Sequence, residues 1–166
     1  MLINNIRMVI EDTWPMIAIA STIIVSIRLV WLYRHKKVIV YHHELLSLLF
    51  LWYILILFQV VTFQDVSWST SNFTPFKEIF RYEIGDRLFY KNVVGNFMMF
   101  VPFGFFVSYY LKFKKIYEIL LMSLIASTTI EYIQLVIGRV FDVDDIILNL
   151  GGALIGYIVY RVIYRV

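Results

Sequence analysis

Glu131 and Gln134 lie three residues apart within an apolar run, and Arg139, Asp142, Asp145 and Asn149 follow them. A carboxylate inside hydrocarbon is costly, so Glu131 must face a bundle interior or a water-filled cleft. Three chemistries are open to it there. It can stand protonated, since a low-dielectric surrounding disfavours its charge, and exchange a proton as general acid or base. It can pair with Arg139, the simplest arrangement because that cation is already at hand. It can join Asp142 and Asp145 as a hard oxygen donor for magnesium or calcium.

Residues spaced three or four apart share a helix face. Ser123, Ser127, Glu131 and Gln134 form one such line. Asn92 and Asn96 form a second, and Asp145, Asn149, Gly152 and Gly156 a third. Gly152 to Gly156 is a small-xxx-small motif, whose use is close helix contact. The Asp145–Asn149 line should therefore face inward as well. Pro102 and Gly104 should kink or break the helix that carries Asn96.

The elements that position these lines are five apolar stretches of membrane length, 14–33, 45–63, 92–111, 116–137 and 146–164. Of the 166 residues 61% are hydrophobic and 16% charged, where soluble domains sit near one half and one quarter. Mean hydropathy is +0.77. The expectation is an all-α polytopic membrane bundle forming a single membrane domain over 1–166. The first segment reads as a retained helix, because Glu11 and Asp12 precede it where a removable leader would be basic. Its one internal charge, Arg28, lies near its end and can snorkel. In the long loop from Gln64 to Lys91, Thr74-Pro75 ahead of "FKEIFRYEIG" reads as a capped helix start. That predicts an amphipathic connector helix.

Composition also excludes chemistry. Without cysteine there is no disulfide, thiol nucleophile or cysteine-bound metal. His35, His42 and His43 have only Glu44 nearby, a poor metal set, and no cofactor is expected. Basic residues come in short blocks without the stripe that tracks a phosphate backbone, so nucleic acid is not an expected partner; membrane lipids are.

Orientation follows from lysine and arginine. Arg34, Lys36, Lys37, Lys112, Lys114, Lys115, Arg161 and Arg165 fall on one side of a five-span chain. Arg7, Lys77, Arg81, Arg87, Lys91 and Arg139 fall on the other, among nine acids. The first side is read as cytoplasmic, with the N-terminus outside and the C-terminus inside. At 1.5 Å per residue, Asn96 lies about 6 Å and Glu131 about 9 Å inside the outer ends of their spans. Asp145 and Asn149 bracket the outer entrance of the fifth span, with Arg139 and Asp142 in the loop between. Polar groups from three helices thus share one layer in the outer half of the bilayer.

Four stretches, "NFTPF" at 72–76, "NVVGNFMMFVPFGFF" at 92–106, "IEYIQ" at 130–134 and "GRVFDVDDIILNLGGALIG" at 138–156, resemble in this order the VanZ-like membrane protein family. The resemblance covers 72–160 and leaves the first two spans without a signature. It maps the family's polar positions onto Asn72, Asn92, Asn96, Glu131, Gln134, Arg139, Asp142, Asp145 and Asn149. Asp144 reads as an extra acid outside that pattern. The resemblance implies a bacterial plasma-membrane protein whose family namesake is associated with low-level resistance to teicoplanin, a glycopeptide that targets lipid-linked cell-wall precursor.

Three functions compete. In the first, a binding protein engages a lipid-linked precursor or the glycopeptide itself, with the amides bonding the ligand and Arg139 meeting phosphate. In the second, a membrane enzyme uses Glu131 as acid or base. In the third, the polar layer is an interhelix network with a purely structural role.

Overall fold

The computed structural model describes residues 2–63 and 71–165, with side chains at Glu11, 14–60 and 71–165. Residues 64–70, which open the long loop and include Asp65, lie outside the described residues, as do the side chains of Arg7 and Asp12. Among the described residues the fold is all-α, and five helices there are long and apolar enough to cross a membrane. A helix satisfies its own backbone, the condition for lying in hydrocarbon. Packing divides the chain into two units, 1–64 and 65–166.

The first unit is a pair, α1 (Leu2–Arg34) and α2 (Tyr41–Phe63). Polar contacts tie it. Trp52 Nε1 donates to Ser21 Oγ at 2.8 Å. Arg28 does more than snorkel: its Nε and Nη2 reach the Glu44 carboxylate at 3.0 and 2.9 Å, and its guanidinium lies 4.9 Å over the Trp31 ring.

The second unit holds α3 (Gly95–Leu111), α4 (Ile116–Val136) and α5 (Val143–Tyr164). A π-helical stretch, Phe89–Val94, leads into α3. The α3–α5 contact is set by glycine. A Cβ on Gly104 would overlap the Ala153 backbone, one on Gly152 the Phe97 carbonyl, and one on Gly156 the Val101 carbonyl. The small-xxx-small face therefore brings backbone against backbone, as its spacing predicts. The break expected at Pro102 is absent, and α3 runs through it as one helix. Phe100, Phe103 and Gly104, on both sides of the proline, are buried.

The connector is shorter than its pattern predicts. After Pro75 the chain makes turns and one 3-10 turn, Ile79–Arg81. Phe76 sits at φ +66°, in the left-handed region that interrupts a helix. The amides that would start an α-helix go instead to a carboxylate from α5, described below. The fifth span also starts earlier than expected, at Val143, so Asp144 and Asp145 form its first turn.

Candidate functional site

One face of α4 points inward. Ser123, Ser127 and Glu131 are buried to within 1% of complete, and Gln134 is 7% exposed. Leu121, Leu124, Ile125, Tyr132 and Leu135 point out. After Val136 the chain reverses at Gly138, whose φ of +85° glycine adopts freely. The Arg139 N–H returns to the Gln134 carbonyl at 2.8 Å. The reversal sets Asp142 above Glu131, and the Asp142 N–H donates to Glu131 Oε2 at 2.9 Å. With its amide turned so that both neighbours are satisfied, Gln134 donates its nitrogen to Glu131 Oε1 at 3.1 Å and accepts with its oxygen from Arg139 Nη1 at 3.0 Å. Gln134 thus stands between Glu131 and Arg139 and links them.

From the facing helices, Asn96 of α3 donates to Asp145 Oδ1. Asp145 lies close enough to Glu131, Asp142 and Arg139 to feel all three charges. One turn deeper, Asn149 Nδ2 donates to Ser127 Oγ at 2.8 Å. Ser127 with Asn149 thus makes a hydrogen-bonded rung between α4 and α5 below Glu131 and Asp145. Asn149 Oδ1 is buried without a protein partner among the described residues. An unmet buried acceptor is a place for an ordered water or a ligand donor.

A strap from the long loop closes one side. The Asn72 N–H donates to the Phe141 carbonyl at 2.8 Å and the Val143 N–H to the Asn72 carbonyl at 3.1 Å, a parallel bridge of Asn72 with Asp142. Asn72 Nδ2 donates to Asp142 Oδ1 at 2.9 Å. Phe73 stacks on Phe141 with centroids 5.5 Å apart. Asp142 caps α5 by accepting from the Asp144 N–H at 2.9 Å. Burial pushes the Asp142 carboxyl above the usual range, against the pull of that N–H and the Asn72 amide.

Asp144, set aside in the sequence as an extra acid, is 1% exposed. Its Oδ2 accepts from the amides of Glu78 and Ile79 at 2.6 and 3.1 Å, and its Oδ1 from that of Phe76. One carboxylate thereby fastens the strap to α5 with charge-assisted bonds. Asn92, by contrast, stands apart from the carboxylates and donates to the Tyr82 hydroxyl at 3.0 Å. Among the described residues, no group of three His, Asp or Glu side chains is arranged to hold a metal ion.

Fold and site together define a multi-pass helical membrane protein with a buried polar cluster between three of its spans. The chain belongs to the VanZ/LLP1 family, whose model matches residues 45–164. The match takes in α2 as well as the 72–160 stretch where the resemblance was legible. No curated protein and no solved structure matches the chain.

Proposed function

We propose that the polar cluster binds a polar group of a lipid-linked cell-envelope component at the outer side of a bacterial plasma membrane. In this reading, binding there contributes to resistance to glycopeptides of the teicoplanin type. The N-terminus lies outside and the C-terminus in the cytoplasm, the assignment that lysine and arginine favour. Asn72, Asn92, Asn96, Gln134, Arg139, Asp142, Asp145 and Asn149 are the proposed ligand-binding set, with Asn92 at its edge.

The observation that carries binding over catalysis is the engagement of Glu131. Its Oε2 accepts from the Asp142 N–H, and its Oε1 accepts from Gln134 once that amide is turned to satisfy both its neighbours. A general base would have to give one up before touching substrate. Glu131 instead shapes the loop that presents Arg139. A second reading, an enzyme using Glu131 as acid or base, draws support from the neighbouring Asp145, since paired carboxylates can divide proton-transfer roles.

The test is teicoplanin susceptibility of a sensitive host expressing wild type or Glu131→Gln, with folded yield measured in parallel. Binding predicts protection by wild type and partial protection by the variant at full yield. Abolished protection at full yield supports the enzyme. Yield and protection falling together support a structural network. No protection by wild type overturns the resistance reading.

A further inference from the structure

At the other end of the second unit, α4 begins and α5 finishes. Ile116 lies fifteen residues before Glu131, about 22 Å along the helix. Between the two helix ends is an open groove of about 790 Å³, lined by Ile116, Leu120, Tyr157, Ile158 and Val162 with Lys114 and Arg161 at its lip. Its floor is apolar, and Ile116, Ile158 and Val162 are 53%, 45% and 71% exposed.

The lip is built rather than loose. Arg161 Nη1 donates to the Lys114 carbonyl and to the Tyr157 hydroxyl, each at 2.7 Å. Those bonds hold the guanidinium 5.7 Å over the Tyr157 ring. Lys112, Lys115 and Arg165 add positive charge at the same end. The one acid there, Glu118, turns its Oε2 to the backbone N–H groups of Lys114 and Lys115 at 2.8 and 2.9 Å. The result is an apolar trough under a fixed guanidinium and a set of ammonium groups.

We propose that this groove holds one anionic phospholipid, with an acyl chain along the α4–α5 trough and its phosphate at Lys114, Lys115 and Arg161. A fixed guanidinium suits a phosphate diester, and basic pockets between spans bind anionic headgroups. The site is separate from the carboxylate cluster and independent of what that cluster binds.

The test is native mass spectrometry of the whole protein released from vesicles of equal phosphatidylglycerol and phosphatidylcholine. Wild type is expected to retain phosphatidylglycerol selectively. The pair Lys114→Gln with Lys115→Gln keeps the Lys114 carbonyl that holds Arg161. It is expected to lower that selectivity roughly fivefold per lysine, about 25-fold in all. Ile158→Trp, which fills the trough from an exposed position, is expected to reduce retention of the lipid with charge unchanged. Lys77→Gln with Lys91→Gln removes equal charge elsewhere in the unit and is expected to change nothing. Equal retention of the two lipids by wild type, or an equal loss in this control pair, overturns the proposal.

Discussion

The two units solve the problem of joining helices in lipid differently. Only 6% of the membrane-length window in α1, and the same share in α2, is buried within the protein, against 33% in α5. The polar ties of the α1–α2 pair include an exposed ion pair and a Trp–Ser bond. The second unit removes side chains from the α3–α5 contact at three glycines and packs backbone on backbone there. Close approach frees the remaining interior for polar side chains, which then bond across helices. A buried polar cluster in a bundle thus needs tight packing beside it, and the first unit has no buried polar side chain among its described residues.

That contrast can be broken at its strongest point. Gly152→Leu must displace the Phe97 carbonyl, at about 3 kcal/mol or more. Unfolding in mixed detergent is expected to show loss of the folded state. Ala18→Leu, at an exposed position of α1, is expected to be neutral in the same titration, and equal effects would erase the distinction. Asp144→Asn comes next. It leaves part of three amides' bonding unmet, at about 2 kcal/mol, and hydrogen exchange at Phe76, Glu78 and Ile79 is expected to quicken while α1 and α2 stay protected.

The effect of pH is smaller and has a definite sign. The folded Asp142 carboxyl titrates above its ordinary value of 3.8, so the folded state binds its proton more tightly than the unfolded state does. Its contribution to stability is full below that ordinary value and is lost as pH rises through the raised one. Asp142→Asn keeps the side-chain oxygen that accepts from Asn72 and Asp144, and is expected to flatten this decline. An unchanged slope in the variant would remove Asp142 as the cause. Smallest of all, Arg28→Gln is expected to leave melting of the second unit unchanged. A shift there would show that the two units are coupled.

How much of this was legible in the sequence follows from what a sequence can encode. The inward line of α4 was readable because Glu131 cannot face lipid and helical period then carries Ser123, Ser127 and Gln134 with it. The glycine face was readable because Gly152 and Gly156 are themselves the signal. The role of Asp144 was not, since its partners are backbone N–H groups 65 to 68 residues away, and amides have no letter. The same bonds explain the short connector. Thr74-Pro75 carries a helix-start pattern, but the amides it would set in order are taken by α5. Gln134 as the link to Arg139 was also hidden, because charge directs attention to the acid and base and not to the amide between them.

The strap has a consequence for the order of assembly. The Asn72–Asp142 bridge joins positions 70 residues apart, across all of α3 and α4. While the chain is being made, Asn72 emerges long before its partner exists. Its own amides must wait, solvated, until the start of α5 arrives. The cluster is therefore completed last, by a long loop closure, and a nascent protein halted before Val143 has Glu131 and Asp142 but lacks Asp144, Asp145 and Asn149. An inhibitor that captured the undocked strap would act on newly made protein alone and spare copies already closed.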